Sequence, residues 1–253
     1  MPNAYCLFPL VWYISTHCMD TKTADIQELY DAGVHFGYSR TRRHPTAAPF
    51  IFTTKDRSDI FDLEETNKRL AIVREFVRTL SASGKQLLFV GGKHEAIDIV
   101  KEAALRVSTP YVAGRWIGGT LTNFKNIRKR IDRLETLMKE RDEGTLAKYT
   151  KKERLLIDRE ITELLARFGG LVKMADLPAA LFVVDTRREN TAVQEANQLG
   201  IPVIGLSSSD CDFSLVQYPI PANDTSVRSI RYVVDFIALA YSDGKKAVVN
   251  NQQ

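Results

Sequence analysis

Cysteine is scarce in this chain, and long apolar runs are missing from it. The sequence has 253 residues but only three cysteines, at positions 6, 18 and 211. Because none of them stands in a Cys-x-x-Cys pair, a disulfide scaffold is excluded and a reducing, cytoplasmic setting is expected. The longest apolar run, from Cys6 to Ile14, has nine residues, whereas a membrane span needs ~20. We therefore predict no membrane span.

The first residues resemble an extension more than a part of the fold. No positive charge precedes the apolar run, which makes it a poor signal peptide. A second methionine, Met19, follows the run and precedes a polar stretch. We expect residues 1–20 to be an N-terminal extension, either disordered or a mis-assigned start, and residues 1–18 to be dispensable for folding.

The sequence also lacks the motifs of common catalytic and cofactor sites. No G-x-G-x-x-G follows a predicted strand, and Gly84-Lys85 is not part of a P-loop because Thr79 and Gln86 stand where glycine and Ser or Thr are needed. There is no G-x-S-x-G elbow, and the histidines and cysteines have no zinc-site spacing. We expect no enzyme, no cofactor, no metal site and no small-molecule substrate.

One enzymatic alternative stays open at this point. In an open parallel sheet, ligands bind beyond the carboxyl ends of the strands. Polar loops follow three predicted strands here, and they contain Lys93, Arg187 and the serines at 207–209. A sugar-phosphate or nucleotide-binding α/β enzyme would use these residues.

The positive charge is concentrated in two segments. The net charge is only +4, but residues 40–57 hold five Lys or Arg against one acid. Residues 120–160 hold twelve against eight, so that each segment alone carries +4. Two basic segments on a mildly acidic body indicate a polyanionic partner, although mixed charge on solvated helices explains the second segment about equally well.

Most of the chain alternates between apolar strands and amphipathic helices. Strands that are too apolar to alternate are typical of a parallel sheet covered on both faces. We predict an α/β fold with a doubly wound, mostly parallel sheet, flavodoxin- or Rossmann-like, formed by residues 21–120 and 170–241, and a flexible tail at 242–253. The predicted strands are 86–90, 110–112, 180–184 and 202–206, and the predicted helices are 63–82, 93–107, about 188–200 and 225–241.

A helical hairpin interrupts this alternation at residues 121–169. Apolar residues recur at heptad spacing from Phe124 to Met138, and again from Ile157 to Phe168, with a break around Gly144. Two such seams joined by a short polar loop predict an antiparallel coiled coil. We expect it to project from the parent domain.

Nucleic-acid contacts are the chemistry that the cationic residues suggest. The loop at 40–57 has arginines whose guanidinium groups can bind phosphate oxygens in pairs. Arg115 and Trp116 lie in a glycine-rich turn, where Trp116 fits packing better than base stacking. The motif Arg128-Lys129-Arg130 is predicted on the outer face of the first hairpin helix. The candidate RNA-binding residues are Arg40, Arg42, Arg43, His44, Lys55, Arg57, Arg115, Trp116, Lys125, Arg128, Lys129, Arg130, Arg133, Lys151 and Lys152.

Several longer motifs resemble one family over residues 24–241. The matching segments occur in the family's order and include AGVHFG at 32–37, RWIGGTLTN at 115–123, LFVVD at 181–185 and IPAND at 220–224. Together they resemble bacterial-type ribosomal protein two of the small subunit. The chain departs from the family's pattern where Tyr38 replaces a second histidine, where Arg43-His44-Pro45 replaces Trp-Asn-Pro, and where Asp210-Cys211 replaces Asp-Pro.

The resemblance implies a non-catalytic structural protein. It would have a doubly wound α/β domain with an inserted hairpin and would bind small-subunit rRNA during translation. It also implies a place on the solvent side near the head–body junction, late incorporation, and neighbouring ribosomal proteins, among them the mRNA-binding ribosomal protein one where it exists. The strand-end loops would then be inherited from the fold, because a fold does not decide function.

Overall fold

Eight strands in two sheets form the framework of the chain. The computed structural model describes residues 25–250, apart from the side chains of residues 147, 148 and 248–250, and the predicted extension at 1–20 lies outside this range. The strands are β1 (Phe36–Ser39), β2 (Ile51–Lys55), β3 (Ser58–Phe61), β4 (Leu87–Gly91), β5 (Tyr111–Ala113), β6 (Ala180–Val184), β7 (Val203–Ser207) and β8 (Tyr218–Pro221).

The larger sheet is entirely parallel. Its five strands lie in the order β5-β4-β6-β7-β8. Every residue of β4, β6 and β7 is buried, which explains why these segments read as continuous apolar runs rather than alternating ones. The predicted α/β fold with a parallel sheet is confirmed.

The described residues also form seven α-helices, which pack on this sheet or extend from it. Both faces carry an apolar cluster, since Phe89 and Phe182 point to one side while Val90 and Val183 point to the other. The helix after β6 ends as predicted, because Gly200 has φ +69°, a conformation that costs other residues a steric penalty. The helices are α1 (Ile26–Asp31), α2 (Leu63–Ala82), α3 (His94–Val107), α4 (Phe124–Asp142), α5 (Lys151–Phe168), α6 (Asn190–Gln198) and α7 (Val227–Asn250).

The antiparallel pair α4 and α5 is the predicted hairpin. Near its base, Ile127 and Phe168 join the apolar cluster beneath the parallel sheet. Farther out, Leu134, Leu137 and Ile161 form a separate small cluster between the two helices. The chain reverses at Gly144, which has φ +71°. The hairpin therefore supplies its own packing toward the tip and shares the domain core only at its base.

The sequence analysis missed the smaller sheet. Strands β1, β3 and β2 pair antiparallel in that order over residues 36–61. These strands have four or five residues each, and β2 is almost fully exposed, so their sequence has little of the apolar pattern that predicts a strand. The segment 40–57 is therefore not an open loop, because it contains two short 3₁₀ helices and β2 and is flanked by β1 and β3.

The last helix is longer than predicted. Residues 242–250, where a flexible tail was expected, continue α7 to Asn250. A side chain at Gly244 would place its Cβ 2.5 Å from the Arg78 carbonyl oxygen of α2, which shows how closely the two helices pack. The Lys245 ammonium also donates to the Val107 carbonyl at the end of α3 over 2.8 Å. The predicted end of this helix at residue 241 was wrong, because the polar residues and the glycine that follow do not indicate in sequence that they pack on α2 and α3.

Candidate nucleic-acid interface

The turn between β2 and β3 presents three of the predicted cations to solvent. Asp56 and Arg57 have φ values of +50° and +66°, which form a tight turn, with Lys55 exposed just before it. The Arg40 backbone N–H donates to the Arg57 carbonyl oxygen over 2.9 Å. This bond brings Arg40, Lys55 and Arg57 to the same end of the small sheet, and none of the three forms an ion pair within the described residues.

Arg43, in contrast, is directed into the protein. Its Nε donates to Asp59 Oδ2 over 2.7 Å, a second nitrogen bonds to Asp59 Oδ1, and that nitrogen also donates to the Thr54 hydroxyl over 2.8 Å. Asp59 is fully buried. The hydrogen bonds from Arg43 outweigh the effect of burial and lower the pKa of Asp59. The guanidinium that was predicted to bind phosphate holds the small sheet together instead.

Arg42 and His44 fix this sheet to the strand ends of the large sheet. The Arg42 guanidinium lies 4.5 Å from the centre of the Tyr38 ring and 3.6 Å from the Asp210 carboxylate. Asp210 also accepts a hydrogen bond of 2.7 Å from Arg187. The His44 backbone N–H donates to the Ser209 carbonyl over 2.8 Å. The Arg42 side chain keeps about half of its surface exposed to solvent.

In the turn after β5, Arg115 is exposed and Trp116 is buried. The indole N–H of Trp116 donates to Glu195 Oε1 over 3.1 Å. The Glu195 carboxylate also accepts backbone N–H bonds of 2.8, 3.0 and 3.1 Å from residues 119, 121 and 122. Burial raises the pKa of Glu195, but these bonds outweigh it and lower the pKa overall. Trp116 therefore anchors the turn, and Glu195 is a residue that sequence reasoning missed.

The hairpin cations divide into free and engaged groups. The side chain of Arg128 is not on the outer face as predicted: it donates to the carbonyls of Val172 and Met174 over 3.3 Å each and lies 2.9 Å from Asp132. Arg133 lies 3.4 Å from Glu160 across the hairpin. Among the hairpin cations predicted from the sequence, those that are exposed and have no ion pair in the described residues are Lys125, Lys129, Arg130, Lys151 and Lys152.

The strand ends, where an enzyme of this fold would bind its ligand, are filled by the chain's own side chains. The buried Lys93 ammonium lies 3.1 Å from the Asp224 carboxylate and 3.4 Å from that of Asp185. Burial lowers the pKa of Lys93, but the two carboxylates outweigh it and raise the pKa well above its ordinary value. Tyr38 covers the pair, with its hydroxyl 3.4 Å from the ammonium.

The serine loop is occupied in the same way. The Ser207 and Thr186 hydroxyls are hydrogen-bonded at 2.8 Å, and the Ser209 hydroxyl accepts from the Tyr38 backbone N–H over 2.9 Å. Arg187 is paired with Asp210. Within the described residues, Lys93, Arg187, Ser207 and Ser209 are therefore bonded to neighbouring side chains or to the backbone of β1.

Two further observations concern the described residues only. No helix between residues 25 and 250 is long and apolar enough to cross a membrane. Within the same range, no three His, Cys, Asp or Glu side chains are grouped so that they could hold a metal ion.

Comparison with known proteins decides between the two interpretations. Residues 29–244 match the sequence model of the family described as Ribosomal protein S2. The chain belongs to the ribosomal protein S2 family. Family membership makes it a structural, non-catalytic protein of the small ribosomal subunit, as the motifs at 32–37 and 115–123 suggested.

Individual relatives agree with this assignment. The small ribosomal subunit protein uS2 of Syntrophobacter fumaroxidans is 41% identical over 228 residues, which are 90% of this chain and 83% of that protein. The uS2 protein of Coprothermobacter proteolyticus is 42% identical over 87% of this chain and 82% of its own length. That of Salinispora tropica is 44% identical over 87% of this chain and 75% of its own length.

Proposed function

We propose that this ribosomal protein binds small-subunit rRNA through exposed cations on the small sheet, in the turn after β5 and on the hairpin. The observation that carries the proposal is the division of the predicted cations into engaged and free side chains. Arg43 and Arg128 bond to the protein itself, so they hold structure. Arg42 is included because its side chain keeps half of its surface exposed beside Asp210. The proposed contacts are Arg40, Arg42, Lys55, Arg57, Arg115, Lys125, Lys129, Arg130, Lys151 and Lys152.

Electrostatics and geometry support this distribution. A free surface cation that meets a phosphate displaces a counterion, which contributes to affinity without reading the base sequence. The free cations of the hairpin lie on α4 and at the start of α5. These two helices pack against each other through Leu134, Leu137 and Ile161. Such a firm support keeps the cations in place, so that less conformational freedom is lost on binding.

Protein neighbours complete the proposal. A small-subunit protein has other ribosomal proteins beside it, and we include the mRNA-binding ribosomal protein one among the candidates, as the sequence resemblance implies. The groove between α1, α2 and α7 has a volume of about 870 Å³, and its lining holds five carboxylates against three arginines. Its acidic character suits a protein neighbour better than RNA.

Co-sedimentation of the tagged chain on sucrose gradients tests the function. We expect the chain to migrate with the small subunit at low salt and to be released by a high-salt wash. We also expect the purified chain to rebind to the washed subunits, with an affinity that falls as salt rises. A chain that sediments alone at low salt in a ribosome-rich lysate would contradict the proposal.

A further inference from the structure

Three exposed cations from three different elements converge at the base of the hairpin. Lys101 of α3, Arg115 of the turn after β5 and Arg167 near the end of α5 line one crevice of about 410 Å³. Asp98 is the one carboxylate among its lining residues. Neither Lys101 nor Arg115 has an ion pair within residues 25–250. The ion pair of Arg167 is a long one, 3.9 Å to the exposed Glu163 of its own helix.

The turn that carries Arg115 is firmly held. Arg115 lies between Gly114, whose N–H bonds to the Gly91 carbonyl over 3.2 Å, and the anchored Trp116. Gly114 has φ +127°, a backbone conformation that glycine adopts without strain. Arg115 is therefore the exposed residue of a turn that is held on both sides.

The hairpin is fixed to the same strand. A Cβ at Gly170 would collide with the Tyr111 carbonyl oxygen, so the chain leaving α5 touches β5 directly. Arg167 is three residues before this contact, and buried Phe168 separates the two. The distance between Arg167 and Arg115 is thus set by the packing of the hairpin base on β5.

We propose that Lys101, Arg115 and Arg167 form a binding site for the phosphodiester backbone of rRNA. The inference rests on the proposed function and extends it, since neither Lys101 nor Arg167 was a candidate from the sequence. Three cations against one carboxylate favour an anion, and the guanidinium groups suit phosphate oxygens. Gly114 and Gly118 leave open space beside the arginine, so a sugar-phosphate strand can approach the backbone closely.

RNA fits this crevice better than an acidic protein segment does. Its lining holds three cations against one carboxylate, together with the Gly169 and Gly170 backbone and apolar side chains that include Ile97, Tyr111 and Leu165. A phosphate strand needs only fixed positive charge and room for its backbone. Because the supports are rigid, the site loses little freedom when it binds.

A triple variant with Lys101→Ala, Arg115→Ala and Arg167→Ala tests the proposal. Rebinding of the full chain to salt-washed small subunits is measured over a range of KCl concentrations. We expect the slope of log K against log salt to flatten by about 2–3, and the affinity near 0.1 M salt to fall on the order of tenfold to a hundredfold. The charge-conserving triple Lys101→Arg, Arg115→Lys and Arg167→Lys should restore the slope.

The matched control removes three exposed cations that lie outside the crevice lining. Lys68, Arg78 and Arg106 pair with Glu65, Glu75 and Asp235, and their replacement by Ala should leave the slope unchanged. If the crevice variant behaves like this control while the wild type binds with a steep slope, the crevice proposal is overturned and the proposed function stands. If the wild type does not bind washed subunits at low salt, both fail.

Directed hydroxyl-radical cleavage locates the partner independently. An iron chelate is attached at Ala166→Cys, an exposed position in the crevice lining, in a chain with the three native cysteines replaced by serine. We expect cleavage of rRNA from position 166 and none from the same chelate at Lys68→Cys. The assignment to RNA would be overturned if position 166 gave no rRNA cleavage. It would also be overturned if particles with the triple variant lost an acidic ribosomal protein while the salt slope stayed unchanged.

Discussion

The ammonium of Lys93 lies 3.1 Å from the carboxylate of Asp224, and both groups are buried at the carboxyl ends of the parallel strands. In enzymes of this architecture a ligand occupies that position. Here Tyr38 of β1 covers the pair, and the strand ends serve to hold the small sheet. The cationic loop at 40–57 is positioned by groups that a catalytic relative of the fold would use for binding.

Removal of Lys93 should therefore destabilise the fold rather than abolish a reaction. Lys93→Met leaves the Asp224 and Asp185 carboxylates buried without their cation, which typically costs ~3–5 kcal/mol. We expect a loss of this size in the free energy of unfolding by urea at pH 7. Lys85→Met, at an exposed position just before β4, is the control and should change stability by about 0.5 kcal/mol or less. Equal midpoints for the two variants would contradict the structural role.

Glu189 should make stability depend on pH. Burial raises its pKa from 4.5 to about 7, so the folded chain holds this proton more tightly than the unfolded chain does. The resulting stability is present below pH 4.5 and is lost as the pH rises through 7, by up to about 3 kcal/mol. Glu189→Gln stays neutral and lacks this loss.

Urea unfolding of both proteins at pH 5 and pH 8 measures the difference. We expect the free energy of unfolding of the wild type to fall relative to that of Glu189→Gln between these two values. Glu163→Gln, on the exposed surface of α5, is the control and should follow the wild type. Parallel pH profiles for the wild type and Glu189→Gln would show that the carboxyl ionises freely in the fold.

Glu195 should be essential for the turn that presents Arg115. Glu195→Gln keeps one acceptor oxygen but loses the charge that accepts N–H bonds from Trp116 and the backbone. A charge-assisted bond of this kind contributes ~1.5–3 kcal/mol, so we expect a stability loss of at least that size.

Trp116 fluorescence reports the same change. In a Trp12→Phe background Trp116 is the sole tryptophan of the chain, and we expect its emission to shift to longer wavelength in Glu195→Gln as water reaches the indole. Glu102→Gln, at an exposed site on α3, should leave the emission unchanged. An unshifted spectrum and an unchanged midpoint for Glu195→Gln would refute the anchoring role.

The features that could be predicted from the sequence depend on residues close together in the chain, whereas the missed features depend on contacts between distant residues. The hairpin could be predicted because its apolar spacing from Phe124 to Met138 is a property of neighbouring residues, and the parallel strands because their burial on both faces leaves apolar runs. Arg43, directly after a short 3₁₀ helix, and Asp59 of β3 are sixteen residues apart, and no periodicity marks that pair.

The engaged members of the candidate site show the same limit. Arg128 comes directly after Ile127, a residue of the apolar seam, so the exposure of its side chain depends on whether the segment after α5 lies beside it. Val172 and Met174 of that segment do lie beside it and accept its hydrogen bonds. Glu195 looks like an ordinary charged residue of an amphipathic helix. Only the fold reveals that several donors of the Arg115 turn converge on it.

A bulkier residue at Gly244 tests the corrected end of α7. In a loose tail, Gly244→Ala would be neutral, and in an isolated helix it would stabilise by up to ~1 kcal/mol. Because the new Cβ would lie 2.5 Å from the Arg78 carbonyl, we expect a loss of ~1–3 kcal/mol in the free energy of unfolding instead. Lys246→Ala, exposed in the same turn, controls for helix propensity, and a Gly244→Ala variant as stable as the wild type would favour the loose tail.

The motif Arg128-Lys129-Arg130 should separate into two roles. Lys129→Ala with Arg130→Ala removes two free cations, and we expect the slope of log K against log salt for subunit binding to flatten by about 1.5–2 while the unfolding midpoint stays unchanged. Arg128→Ala removes the bonds to the Val172 and Met174 carbonyls. It should lower the free energy of unfolding by ~1–3 kcal/mol because those buried acceptors lose a charged donor, and it should leave the slope nearly intact. If Arg128→Ala flattened the slope as much as the double variant without loss of stability, its side chain would be a phosphate contact, and the division into engaged and free cations would be wrong.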